Sequence, residues 1–306
     1  MQKQVIRLTS KEIEEIKSKN KMVGSGSEAT LYKVGPNVYK FYNDKDPVIK
    51  IDNAILDEDG VNVSCYKKLR NISKKDDNRI LTYKDNDGVI LAKEEAIIKA
   101  IESGSKVKLS YLPNNIIYED NKAIGCVYPY YKNTLGVYSA AYVSERLKLM
   151  ACKDLVSKVD ELLENNIYPL NLDKRNVSNP IKRDECDVLL EHGFNYGVHI
   201  VDLDGNSTLY TESYSHNKTS LVLSSLTSMV LEILTKIKLY EDKLSDDDFV
   251  FDGNDYSYYQ EYVNKHINEM VKYGIPENLA LKYYEYGKLE MTDIKRLIRS
   301  VEKKHR

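Results

Sequence analysis

The chain has 306 residues, with 45 Lys and Arg against 47 Asp and Glu, a formal charge of -2 and its basic residues spread along its length. That balance excludes an overall nucleic-acid footprint, and no apolar run approaches the roughly 18 residues of a membrane span. With 42% apolar and 30% charged residues, the chain can bury one large core or the cores of two lobes. Cys65, Cys126, Cys152 and Cys186 lie far apart with no CxxC pair, which fits free thiols in a reducing cytoplasm better than disulfides or zinc. The polar N-terminus has no signal-peptide core. The expectation is a soluble cytoplasmic protein with neither nucleic acid nor membrane as partner.

Residues 1–21 read as a helical extension, with Thr9 or Ser10 as N-cap and Ile13 and Ile16 turned inward. Thr30 to Val34 and Val38 to Tyr42 then form a hairpin around the turn Gly35-Pro36-Asn37, with Gly24-Ser25-Gly26 at its mouth. An inserted segment spans about 44–92, followed by a helix from about Val89 to Glu102. Two strands come next, Asn115 to Glu119 and Ala123 to Tyr131, joined by an Asp-Asn turn. From Ser144 the chain turns helical. Leu155, Val156, Val159, Leu162 and Leu163 mark one buried helix face. Leu226, Met229, Val230, Ile233, Leu234 and Ile237 mark a second, and Tyr259, Val263, Ile267, Met270 and Val271 a third, stopped by Gly274 and Pro276. A strand-rich part at 22–130 and a helix-rich part at 131–306 imply two lobes.

The chemistry-bearing residues fall in a fixed order. Gly24-Ser25-Gly26-Ser27 lets backbone N–H groups approach phosphate oxygens with no Cβ in the way. Its strand-turn-strand setting argues against a dinucleotide turn, which opens into a helix. Lys40 lies mid-strand on the paired strand, either facing outward or reaching under the glycine turn. A lysine in the second position needs a carboxylate, and Glu95 is preferred over Glu94. Downstream, the polar loop Asn171-Leu172-Asp173-Lys174-Arg175-Asn176 precedes a hairpin whose last strand, Val198 to Val201, runs into Asp202-Leu203-Asp204. Asn176 and Asp202 offer Mg an amide and a carboxylate oxygen, and Asp204 is a second metal contact or a turn residue.

This ordered set resembles the protein-kinase-like superfamily, which includes eukaryotic-type kinases, bacterial kinase-like proteins and the aminoglycoside and choline phosphotransferases. The resemblance implies an α+β fold of two lobes, a small antiparallel-sheet N-lobe and a helical C-lobe. It implies ATP and Mg as cofactors, a hinge at Val127-Tyr128-Pro129-Tyr130-Tyr131 whose backbone binds adenine, with Tyr128 and Tyr130 as the nucleotide-binding positions, and an unidentified small-molecule or protein acceptor. Counting back from Asn176 places Asn171 where the family has its catalytic aspartate, so Asp173 is the provisional base. Ala29 replaces the loop's third glycine, Asp204 replaces the glycine after the metal aspartate, and no peptide-docking segment follows. Three readings stay open: a phosphotransferase, a pseudokinase acting as a nucleotide-binding or interaction module, and nucleotidyl transfer (AMPylation) on the same fold.

Overall fold

A computed structural model describes residues 5–26, 29–43, 48–52, 82–84, 88–104, 112–132, 134–136, 141–169, 172, 188–191, 197–201, 203, 208–210, 216–237 and 255–306. The chain divides into two compact units. One comprises Met1–Lys132, Leu162–Pro169 and Val201–Lys218; the other comprises Asn133–Glu161, Leu170–Ile200 and Thr219–Arg306.

The first unit is built on a six-stranded sheet of order β1-β8-β9-β4-β3-β2. Its strands are β1 (Val5–Arg7), β2 (Lys21–Ser25), β3 (Ala29–Val34), β4 (Asn37–Tyr42), β8 (Asn115–Glu119) and β9 (Lys122–Pro129). All neighbours pair antiparallel except β1 and β8, which run parallel. The hairpin turns obey their residues: Gly35 adopts φ 59°, and Asp120 and Asn121 adopt φ 45° and 66° between β8 and β9.

A helix covers each face of this sheet. Helix α1 (Ser10–Lys19) starts at a capping box: Glu12 accepts from the Thr9 N–H at 2.7 Å while Thr9 accepts from the Glu12 N–H at 3.3 Å. Its Ile13 packs with Phe41, Ile117 and Val127. On the other face, Ile97 and Ile98 of α2 (Lys93–Gly104) pack with Val38, Tyr42, Ile116, Cys126 and Tyr128.

The inserted segment contributes a second sheet, in which β7 (Gly88–Ala92) lies between β5 (Val48–Asp52) and β6 (Thr82–Lys84). The helix expected from Val89 therefore begins later, at Lys93. Val89, Ile90 and Leu91 are apolar residues paired on both sides, against Ile51, Lys50 and Ile49 of β5 and Lys84, Tyr83 and Thr82 of β6. A fully paired inner strand loses the period-2 alternation and reads like a helix segment. Two short strands, β11 (Ile167–Pro169) and β14 (Thr208–Tyr210), pair antiparallel within this unit.

In the second unit, β10 (Thr134–Gly136), β12 (Val188–Glu191) and β13 (Gly197–Ile200) form a three-stranded antiparallel sheet. Among the described residues the rest of this unit is five helices: α3 (Glu145–Glu164), α4 (His216–Thr235), α5 (Asp255–Tyr273), α6 (Glu277–Tyr286) and α7 (Met291–Lys304). Val222, Leu223, Leu226, Met229, Val230, Leu231, Ile233 and Leu234 bury α4 on every side, the mark of a central helix.

Polar groups on α4 are satisfied locally. Thr227 donates to the Leu223 carbonyl at 2.6 Å and accepts from the Leu289 N–H at 3.0 Å, and Ser228 bonds the Tyr283 hydroxyl at 2.9 Å. Helix α5 ends at Gly274, whose φ of 109° suits glycine. Lys148 of α3 is buried and donates to Glu145 at 2.8 Å and to the Tyr273 hydroxyl at 3.0 Å. Burial pushes the Glu145 carboxyl up, but hydrogen bonds from Lys148 and Tyr273 outweigh it and hold the group below its ordinary range. Ion pairs Lys295–Asp160 and Lys153–Glu302 join α7 to α3. Among the described residues no helix is long and apolar enough to cross a membrane.

Gly125 sits opposite Phe41, so close to β4 that a Cβ on it would lie 2.0 Å from the Lys40 carbonyl oxygen. Gly125→Ala is expected to destabilise the protein by about 1–3 kcal/mol through this overpacking. Thermal unfolding checks it, and a midpoint unchanged from wild type would contradict the close approach.

Candidate functional site

The glycine turn joins β2 to β3. A register shift between Met22 and Gly24 bulges β2 there, and the Gly26 N–H donates to the Ala29 carbonyl at 2.9 Å. Asn43, just past β4, donates from its amide to the Gly26 carbonyl at 2.9 Å and accepts from the Thr30 hydroxyl at 3.2 Å. A Cβ at Gly26 would meet no atom within 4 Å, and one at Gly24 would make only ordinary contact with Leu31 at 3.6 Å. Among the described residues packing therefore requires neither glycine, and a side chain at Gly26 would meet open space. Ser25 is exposed; Ser27 lies outside the described residues.

Lys40 is 5% exposed on β4, an inner strand flanked by β3 and β9. Leu31 and Cys126 are its cross-strand partners, and Val38 and Tyr42 share its face by the two-residue period. That is the face covered by α2, so the lysine points inward rather than to solvent. Its ammonium lies 5.8 Å from the centroid of the Tyr42 ring. A charge at this depth needs a hydrogen-bonded counter-charge.

Two glutamates open α2. Glu94 shares a helix face with Ile97, Ile98 and Ile101, and its carboxylate accepts from the Tyr118 hydroxyl of β8 at 2.5 Å. Glu95 stands next to it in the first turn of α2, its side chain outside the described residues. At the end of β9, Tyr128 is buried in the same apolar cluster as Tyr42 and Cys126, against which Tyr130 packs. Tyr130 donates its N–H to the Pro36 carbonyl at 2.9 Å, and Lys33 covers its ring at 4.6 Å.

Asn171, Asp173, Asn176, Asp202 and Asp204 lie outside the described residues. Two leucines within these polar stretches are described, and both are buried: Leu172 at 0% and Leu203 at 2% exposure. Among the described residues no three His, Cys, Asp or Glu side chains converge to hold a metal ion. Sequence reasoning missed Asn43 and Tyr118. An Asn at the end of an apolar strand reads as an ordinary turn residue, and a strand tyrosine gives no sign that its hydroxyl meets a glutamate.

The chain is similar to a solved apo pseudokinase, with 14% identity, a TM-score of 0.50, and coverage of 98% of this chain and 95% of that one. The likeness shows a protein-kinase-like α+β fold. No protein-family model and no curated protein matches the sequence.

Asn43→Ala removes both side-chain bonds that pin the glycine turn. The expected cost is about 0.5–1.5 kcal/mol of stability, with faster amide exchange at Gly26. Exchange at Gly26 equal to wild type would contradict the pinning.

Proposed function

We propose that the chain is an ATP- and Mg-dependent phosphotransferase of the protein-kinase-like superfamily. The observation that carries the reading is Lys40, a lysine buried on the α2-facing side of an inner strand, in the hairpin that carries the glycine turn. An apolar side chain would fill that position at no electrostatic cost, so the retained ammonium argues for an anionic ligand. The open space at Gly26 supports the same conclusion.

In this reading Lys40 holds the nucleotide's phosphates, and Glu95, in the first turn of α2, holds Lys40. Gly24, Ser25, Gly26 and Ser27 offer backbone N–H groups to the phosphate oxygens. The chain at Tyr128 and Tyr130 takes the adenine through its backbone. Asn176 and Asp202 ligate the cation, with Asp204 as a further contact. Asp173 accepts the proton of the acceptor hydroxyl, and Asn171 orients that hydroxyl by hydrogen bonding. Bound Mg-ATP supplies the phosphoryl group and the charge neutralisation that this transfer needs.

A second reading, a pseudokinase that binds nucleotide or a partner without turnover, is favoured by Asn171, whose amide cannot accept a proton as a carboxylate does. Product analysis with ATP labelled at the γ- or α-phosphate separates the readings. The phosphotransferase releases ADP and moves only γ-label, in a Mg-dependent reaction lost in Asp202→Asn. Transfer of α-label would replace it with nucleotidyl transfer. Nucleotide binding with no product from either label would leave the pseudokinase.

A further inference from the structure

We infer that Asp154 and Lys158 of α3 are positioning residues for the metal-binding turn, acting through β13; the inference rests on the proposed Mg-ATP site. Among the described residues, strand β13 is the edge of the sheet β10-β12-β13 and pairs on one side only, with Val198 opposite Leu190. An edge strand presents N–H and C=O groups that need partners.

On this edge the partners are an ion pair on a helix. Asp154 Oδ2 accepts from the Val198 N–H at 2.6 Å, and Lys158 Nζ donates to the Val198 carbonyl oxygen. The same Asp154 oxygen and Lys158 Nζ lie 2.9 Å apart, one helical turn from each other. A carboxylate only accepts and an ammonium only donates, so together they match one residue's N–H and C=O, as a neighbouring strand does. Both bonds are charge-assisted, which makes them stronger and more directional than neutral ones.

The pair is half-buried, with side-chain exposures of 35% for Asp154 and 20% for Lys158. Val198 itself is fully buried, so its side chain cannot rotate out to relieve a misplaced backbone. The clamp therefore holds the backbone of β13 at Val198. Its last residue, Ile200, is followed after Val201 by Asp202, the proposed cation ligand. The clamped residue thus lies close in the chain to the proposed cation ligand. Divalent-cation binding is sensitive to such placement, because outer groups orient the ligands.

Two measurements on the full chain test this. Amide hydrogen exchange without ligand follows residues 197–201, and calorimetry follows ATP binding across a Mg²⁺ series, for wild type, Asp154→Ala, Lys158→Met and Lys158→Arg. Asp154→Ala and Lys158→Met are expected to speed exchange in β13 about ten-fold while α4 stays protected. Their Mg²⁺ requirement should rise about five-fold with ATP affinity in the absence of Mg²⁺ unchanged, and Lys158→Arg should restore both. Wild-type exchange in β13, or an unshifted Mg²⁺ requirement in variants that bind ATP, would overturn the inference. Lys158→Met guards against a fold failure in Asp154→Ala, because it leaves the carboxylate bond to Val198 in place. A wild-type chain that binds no Mg-ATP would sink the phosphotransferase reading, and with it the metal role of the clamp, whereas altered exchange alone leaves the clamp as a strand anchor only.

Discussion

A lysine ammonium buried in an otherwise apolar sheet face is the constraint on which the first unit turns. Lys40 lies on an inner strand among Leu31, Val38, Tyr42 and Cys126, and α2 closes that face. Moving a charge there costs several kcal/mol unless something offsets it. Helix α2 begins with two adjacent glutamates, and Tyr118 holds one of them in place from β8. Gly125 lets β9 approach the Lys40 carbonyl more closely than any other residue could. The opposite face of the same sheet has no such demand and is sealed by α1 through Ile13.

The second unit solves a different problem, that of satisfying polar groups on a helix buried all round. Helix α4 is buried all round, so its Thr227 and Ser228 find partners in Leu223, Leu289 and Tyr283 rather than in water. On α3 the buried Lys148 is satisfied by Glu145 and Tyr273, and Asp154 with Lys158 completes the open edge of β13. Helix α3 thus carries the polar contacts to α5 and β13 and, through Asp160 and Lys153, the ion pairs to α7.

Much of this was legible in the residue pattern. The hairpin at 30–42 was marked by Gly35-Pro36-Asn37, and the helices containing Leu155, Leu226 and Ile267 by their 3.6-residue period, because turn chemistry and one-sided burial leave local signatures. Strand β7 was not legible: pairing on both sides erased the alternation that separates strand from helix, and the run Val89-Ile90-Leu91 merged with α2. The order of glycine turn, lysine and glutamates was visible, but the burial of Lys40 was not, since sequence cannot tell an inner strand from an edge. Asn43, Tyr118 and the Asp154–Lys158 pair escaped notice because their partners are set by tertiary placement. No spacing rule brings Asp154 to Val198, 44 positions away.

The protein-kinase-like fold and the buried lysine support the central proposal, that Lys40 meets phosphate. Titrating purified protein with ATP by calorimetry, with and without Mg²⁺, tests it most directly when Lys40→Met is run beside wild type. Met keeps the length and apolar stem but removes the charge. The account predicts Mg-dependent micromolar binding by wild type, lost in a variant that is at least as stable to heat. Equal ATP affinity in the two proteins, or no binding by wild type at millimolar ATP, would contradict it.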